Sequence, residues 1–327
     1  MKIKRILIVG KRNHLGWLEH AIDGIKQIEN ITYSSFIINE IESLYKPLKF
    51  FYKILSQKEK LDSLLFRSFE KKIREFKPEL IIFISGFFIP IKFYKIAKEN
   101  NIQIASWVGD KFSDNSKAYI SYIDKLYISD TGLIDIAKRY EFKDISFLQF
   151  GYNNLIHKNY GKDRNEFINF VGSYTKERNN IFMKLDEYKL HLEGINWHKL
   201  DSVSKNWILK KGKISQEKVV DIYNTTIATL NIGQNENIIN MVNMRTFEAI
   251  ACGSCVISDN LKDLEYCFEP NKEILVYNNI DELIEILDKA AIDKNYLKNI
   301  ALNAHNRVIK ENRTYKSKIE YIINDFN

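Results

Sequence analysis

The chain has 327 residues, 45% of them hydrophobic and 28% charged, with a formal net charge of +7. That length is too great for one ordinary core and suits two, and the apolar fraction excludes a disordered chain. No uninterrupted apolar run reaches about 18 residues, so no spanning helix is expected, and the three cysteines, an odd number, are not a disulfide framework.

The N-terminus reads Met1-Lys-Ile-Lys-Arg5-Ile-Leu-Ile-Val-Gly10. Its apolar core is too short for a signal peptide and ends on glycine, so it reads as a buried first strand in a cytoplasmic protein. Further strands are expected at Tyr33–Ile38, Leu80–Ser85, Ile102–Val108, Lys125–Ser129 and Ile145–Phe150, separated by segments with helical apolar spacing. Such alternation predicts a parallel sheet covered by helices. A polar stretch with two glycines, 151–166, marks the boundary. The pattern then restarts: strands at Phe167–Gly172, Leu190–Gly194, Ile227–Ile232, Cys255–Ser258 and Glu273–Tyr277, and helices near Lys176–Tyr188, Gln216–Asn224, Asn243–Ala251, Asp281–Ala290 and Asn295–Glu311. The expectation is an α/β chain of two Rossmann-like, doubly wound domains, 1–152 and 153–310, followed by a helix at 311–327.

Charge is uneven. Lys and Arg outnumber Asp and Glu by 25 to 18 over residues 1–150 and equal them, 24 to 24, over the rest. Lys46–Lys77 holds ten basic and four acidic residues, with apolar residues at Leu61, Leu64, Leu65, Phe69, Ile73 and Phe76. This is either a packing helix with a solvated basic back or a helix that lies peripherally on an anionic membrane. Cys252-Gly-Ser-Cys255 matches C-x-x-C, but no second pair exists to complete a zinc site, and a tight helix-to-strand turn explains the small residues.

In open α/β sheets ligands bind beyond the carboxyl ends of the strands. After the first strand comes Gly10-Lys-Arg-Asn-His14-Leu-Gly16, which is not the dinucleotide fingerprint; His14 is a candidate base or acceptor contact. Asp110 follows the fourth strand and is a candidate base for an acceptor hydroxyl, or else a cap. In the second half, Gly172-Ser173 ends a strand and Arg178 follows in the next helix, a pattern suited to a phosphate. The strongest constellation is Asn243-Met244-Arg245-Thr246-Phe247-Glu248, a helix start preceded by a polar loop. Its amides and Arg245 suit a diphosphate, and Glu248, a turn later, suits a ribose. The competing reading pairs Arg245 with Glu248 along the helix.

Met244-Arg-Thr-Phe-Glu-Ala249 and Ala251-Cys-Gly253, followed by Ile257-Ser-Asp259, resemble the C-terminal domain of the CgeB-like (spore maturation protein-like) bacterial glycosyltransferases. Phe170–Ser173 with Arg178, Gly194 with Trp197, Glu273–Tyr277, and Arg313-Thr-Tyr315 resemble further blocks of that group, in order. The resemblance implies a GT-B fold, its two domains facing each other across a cleft. It implies a donor held mostly by the C-terminal domain, transfer without a metal, and last helices that pack back on the first domain. Retaining GT-B enzymes carry two glutamates eight positions apart; the second is similar to Glu248, whereas the first position is Asn240, so the stereochemical outcome stays open. No D-x-D pair occurs. The partners implied are a nucleotide-sugar, with UDP as the base carrier, and a glycan, lipid-linked or protein acceptor; no cofactor and no nucleic acid are expected. A sugar-nucleotide epimerase of the same architecture and a non-catalytic nucleotide or sugar binder are the alternatives.

Overall fold

The computed structural model describes residues 3–13, 16–44, 58–233 and 236–327. His14 and residues 46–57, the first part of the basic stretch Lys46–Lys77, therefore lie outside the described residues. The chain forms two compact units: Met1–Gln149 with Glu236–Ile239 and Tyr315–Asn327, and Phe150–Asn235 with Asn240–Thr314.

The first unit is built on a six-stranded sheet in the order β2-β1-β3-β4-β5-β6, with β1 Arg5–Gly10, β2 Thr32–Ile37, β3 Leu80–Ile84, β4 Gln103–Val108, β5 Lys125–Ile128 and β6 Ile145–Phe147. All its pairings are parallel. A parallel strand covered on both faces cannot alternate polar and apolar residues, so it appears as an unbroken β-branched run, and β3, Leu-Ile-Ile-Phe-Ile, is buried at every position. Helices α1 Trp17–Ile25, α2 Ile38–Leu44, α3 Lys58–Phe76, α4 Ile91–Glu99 and α5 Thr131–Arg139 flank this sheet. The apolar stripe of α3 is used in the core: Leu65, Phe69 and Ile73 are buried, and the Phe69 ring meets Phe36 and Phe93 at 5.1 and 4.9 Å. The stripe that would have faced lipid is therefore occupied, and α3 turns the exposed Arg67, Lys71 and Arg74 to solvent.

Helix α11, Tyr315–Asn324, also belongs to this unit and packs on α1 at Gly24. A Cβ there would stand 2.8 Å from the Tyr315 carbonyl, so only glycine permits this approach. Asp325 then accepts from Tyr127 Oη and pairs with Lys125 Nζ at 2.9 Å, tying the chain end to β5.

The second unit has a six-stranded sheet in the order β12-β11-β10-β7-β8-β9, with β7 Asn165–Val171, β8 Leu190–Gly194, β9 Trp207–Lys211, β10 Thr226–Asn231, β11 Cys255–Asp259 and β12 Leu275–Tyr277. Its pairings are also parallel. Counted within the unit this is the mononucleotide-binding order, whose direction reverses between β7 and β10, the place where such sheets open a ligand crevice. Strand β9 is absent from the sequence reading. It is an edge strand whose Trp-Ile-Leu start runs into Lys-Lys, and lysine on an edge discourages pairing with other chains. Helices α6 Lys176–Phe182, α7 Gln216–Thr225, α8 Met244–Ala251, α9 Ile280–Ile292 and α10 Lys294–Lys310 complete the unit.

Arg164 fastens two of these helices. Its guanidinium donates to the carbonyls of Tyr223 and Thr226, both at 2.7 Å, and of Cys252 at 2.8 Å. These carbonyls close the ends of α7 and α8, where partial negative charge gathers. Charge-assisted bonds of this kind contribute roughly 1.5–3 kcal/mol each, and not additively. Arg164→Ala should lower the unfolding free energy by about 3 kcal/mol, read from urea denaturation; a change within experimental scatter would contradict this. Beside it, burial pushes the thiols of Cys252 and Cys255 up to about 12. Both are protonated at neutral pH, so the turn reading of this segment fits its chemistry and a redox pair does not.

Candidate functional site

The switch point of the second sheet places the ends of β7 and β10 side by side. Strand β7 leaves the sheet through Gly172 and Ser173. Gly172 is held from two sides: its amide donates to the Glu193 carbonyl at 3.0 Å, and its carbonyl accepts from Trp197 Nε1 at 2.8 Å. A Cβ on Gly172 would lie 3.0 Å from Arg245 Nη2, so the bare backbone there leaves the guanidinium uncovered. Helix α6 begins three residues on, with the Thr175 hydroxyl accepting from the Arg178 amide.

Arg178 turns back from α6 and spans the two strand ends. Its Nη1 donates to the Ser173 carbonyl at 2.8 Å and its Nη2 to the Ile232 carbonyl at 2.9 Å. Arg245, in the first turn of α8, reaches the same place and donates to Asn231 Oδ1 at 3.0 Å. Both guanidiniums lie over the Phe170 ring, 5.0 and 4.8 Å from its centre. Arg245 therefore turns to Asn231, and the helix-pair alternative with Glu248 is not what forms.

The electrostatics are unusual for a protein interior. Among the described residues, every hydrogen-bond acceptor on the two guanidiniums is a neutral carbonyl or amide oxygen. Burial, and then the neighbouring Arg245 charge, push Arg178 down from its ordinary range. Burial likewise pushes Arg245 down, partly opposed by Tyr223, Glu248 and Asp259. Asp259, at the end of β11, acts on both guanidiniums, with Glu177 and Glu248 each acting on one. The Asp259 Oδ2 accepts from the Gly233 amide at 2.8 Å, and burial raises its pKa against that bond and the charge of Arg245. Asp259, Glu177 and Glu248 act on the buried Arg178 and the half-buried Arg245 only as charges at a distance and supply neither guanidinium with a hydrogen-bonded acid, so the positive charge is only partly answered. Unpaired buried charge costs several kcal/mol, which an anion entering the crevice would relieve with strong paired bonds.

Helix α8 adds to this field. In α6, α7, α9 and α10 the N-cap side chain accepts from a first-turn amide. In α8 the N-cap Asn243 does not. Its Nδ2 donates instead to Asn231 Oδ1 at 2.6 Å, so the first-turn amides of α8 have no side-chain cap and present the positive end of the helix dipole. Asn231 is thus the hub: its Oδ1 accepts from Asn243 and Arg245, and its own Nδ2 donates to Ser258 Oγ at 2.9 Å.

Gly172, Ser173, Arg178, Asn243 and Arg245 are brought together as one set. Met244, Thr246 and Glu248 sit on the same helix with side chains withdrawn, at 8%, 0% and 6% exposure. The Asn240 carbonyl accepts from the Asp263 amide at 3.1 Å. Asp110 lies apart from this set, in the first unit just past β4. It lines a cavity of about 400 Å³ with Ser85, Phe87, Phe88 and Tyr119, and burial raises its pKa. The sequence reading missed Asn231 and Asp259 as site residues, although Asp259 directly follows the expected strand Cys255–Ser258, where the strand-end rule would have found it.

Residues 176–324, somewhat under half of the chain, match the family described as glycosyl transferase-like. No curated protein matches the sequence. Among solved structures, a glycosyltransferase from Rickettsia africae superposes with a TM-score of 0.68 at 13% identity, covering 99% of each chain. Sucrose-phosphate synthase from Thermosynechococcus elongatus gives 0.66 at 9% identity, over 99% of this chain and 98% of that one. The Anabaena protein HepE in complex with UDP gives 0.58 at 11% identity, over 99% and 100%. At these identities the likeness is one of fold: two parallel six-stranded sheets with flanking helices, the GT-B architecture.

Proposed function

We propose that the protein is a GT-B glycosyltransferase of CgeB-like type that binds a nucleotide-sugar, with UDP as the carrier, and passes the sugar to a hydroxyl of a glycan or lipid-linked acceptor. One observation carries this reading: a buried and a half-buried guanidinium that, among the described residues, hydrogen-bond only to neutral acceptors, at the switch point of a mononucleotide-binding sheet, beside a helix start without a side-chain cap. A diphosphate is the anion that matches them, and the match of residues 176–324 to a glycosyl transferase-like family supports the same conclusion. In this reading Arg178, Arg245 and the Met244 amide at the start of α8 stabilise the charge that builds on the departing diphosphate, while the Thr246 amide donates to the Asn243 carbonyl at 3.3 Å. Such preorganised stabilisation is commonly the largest catalytic contribution, and it lets transfer proceed without a metal. Glu248 is assigned to the ribose hydroxyls.

Thermal unfolding in the presence of UDP, GDP, dTDP and CMP tests the donor assignment. A true ligand at about 100 times its Kd stabilises the fold by about 2.7 kcal/mol. UDP should raise Tm in a concentration-dependent way; a flat response to all four nucleotides would defeat the proposal.

Asp110 and His14 are the proposed acceptor-side groups, with Asp110 taking the hydroxyl proton. An acid raised by burial is ionised only above that raised value, so kcat should fall as pH drops through a limb above the ordinary aspartate range of about 3.9. Asp110→Asn should remove the limb with most of the turnover. Ionising a desolvated carboxylate opposes folding above its unfolded pKa, so the same variant should melt higher than wild type at pH 7. A lower Tm would assign Asp110 a structural role. The basic back of α3 keeps a peripheral contact with anionic lipid open as a purely electrostatic one, without the apolar face first assigned to it.

A further inference from the structure

The first unit contains a built recess that the donor site does not use. Strand β3 ends at Ile84, and Ser85 then takes the left-handed conformation, with φ 59°, which a residue with a side chain adopts at some cost. Gly86 follows so tightly that a Cβ would stand 1.9 Å from Ser106 Oγ on β4. Tyr94 Oη locks the turn by donating to the Gly86 carbonyl at 3.0 Å. The outcome is a one-turn helix, Gly86–Phe88, fixed against the sheet. Phe87 points into an aromatic cluster with Phe112 and Tyr119, at 5.0 and 5.4 Å. Phe88 points out, 62% exposed.

Between this turn and the end of β4 lies the cavity of about 400 Å³, within the size range of small-molecule sites. Aromatic rings form one side of it. Asp110, Lys111, Ser113 and Asn115 supply polar groups. Among the described residues nothing hydrogen-bonds or ion-pairs with the Asp110 carboxylate, and desolvation alone acts on it. A half-buried carboxylate can only accept, so the missing partner is a donor.

Three classes of occupant can be compared. An alkyl chain would suit the rings but would bury the carboxylate without a donor, which is unfavourable. A phosphorylated or otherwise anionic group would face Asp110 on the half-buried wall, with the exposed Lys111 as the only cation of the described lining to offset it. A neutral pyranose satisfies both walls: its C–H face covers an aromatic ring and its hydroxyls donate to Asp110 and exchange bonds with Asn115. We propose that this cavity seats a neutral, unphosphorylated pyranose of the acceptor, its ring lying on Phe88 and one hydroxyl donating to Asp110. The inference rests on the sugar-transfer reading for its chemistry. The acceptor oxygen forms the new bond to the anomeric carbon, the bond from that carbon to the diphosphate breaks with its electron pair leaving on the diphosphate, and the hydroxyl proton passes to Asp110.

Saturation-transfer NMR on the full chain tests the seat without turnover. The probes are methyl hexopyranosides, a hexose 6-phosphate and hexanol. A methyl hexopyranoside should receive saturation. Phe88→Ala should weaken its binding by about tenfold or more, a loss of about 1.4 kcal/mol, and Phe88→Trp should retain it. Both variants should keep the wild-type UDP thermal shift. Phe88 is exposed, so neither change should disturb the fold. Saturation of hexose 6-phosphate or hexanol in preference, no saturation of any glycoside, or binding indifferent to Phe88→Ala would overturn the assignment. A UDP shift that persists while glycoside binding fails overturns this inference alone. Glycoside binding that persists without any UDP shift supports the seat and overturns the transfer reading.

Discussion

Arg245→Ala should reduce transfer by at least about a hundredfold while the protein melts within a few degrees of wild type, because a single buried donor to developing charge contributes roughly 2.7–4 kcal/mol. The structural cost is small for a stated reason. Arg245 donates to an amide oxygen, Asn231 Oδ1, which keeps Asn243 as a partner when the arginine is gone. Removing one of two neighbouring cations also relieves repulsion. Arg178→Ala should behave differently. Arg178 ties the Ser173 carbonyl to the Ile232 carbonyl, so its loss should lower both activity and stability. Arg245→Lys separates charge from geometry, since a point charge cannot reproduce a planar fork; it should recover only part of the UDP thermal shift. Near-normal kcat/KM in Arg245→Ala would remove the diphosphate from this crevice.

Gly194→Ala should be among the most destabilising single substitutions in the second unit, on the order of 3–5 kcal/mol by chemical denaturation. Gly194 ends β8 with φ 150°, and a Cβ there would lie 2.1 Å from the Gly172 carbonyl oxygen. Neither backbone can yield cheaply. The Gly172 carbonyl is held by Trp197 Nε1, and the Gly194 carbonyl accepts from the Gly212 amide at 2.9 Å. Any retreat of Gly172 drags Ser173 and with it the Arg178 clamp, so protein that does fold should also lose nucleotide affinity. Trp197→Phe removes the indole bond but not the glycine contact, and should cost about 1 kcal/mol. An alanine at position 194 with wild-type stability would mean that the β8 turn is not as close to β7 as described.

Much of this architecture is legible in the chain because parallel strands buried on both faces leave a strong trace. Leu80–Ile84 and Cys255–Asp259 are found within a residue or two of their observed ends. Strand β9 is invisible because its burial fades toward the edge, where Lys210 and Lys211 resemble a turn. At the site, Arg178 and Arg245 are legible since strand-end geometry and charge point the same way. Asn231 is not, because an amide inside Thr-Leu-Asn-Ile reads as part of the strand, and its role depends on Asn243 and Ser258 arriving from distant segments. The use of the α3 stripe is equally a tertiary matter: spacing alone cannot tell whether Phe69 faces lipid or the rings of Phe36 and Phe93.

The first unit is discontinuous in sequence. Four residues of the loop between β10 and α8, Glu236–Ile239, belong to it: the Ile239 amide donates to Asp130 Oδ2 at 2.7 Å, and the Asn237 carbonyl accepts from the Lys111 amide at 2.8 Å. The backbone passes from one unit to the other at 149/150, 235/236, 239/240 and 314/315. A recombinant fragment stopped at residue 149 would consequently lack α11, exposing Trp17 and Trp107, whose rings meet at 5.3 Å, where Tyr315 now stands 6.0 Å from Trp107. Such a fragment should aggregate, and a single protease nick at 149/150 should leave both pieces associated on gel filtration, since the core of the first unit is completed by 236–239 and 315–327 on the C-terminal piece.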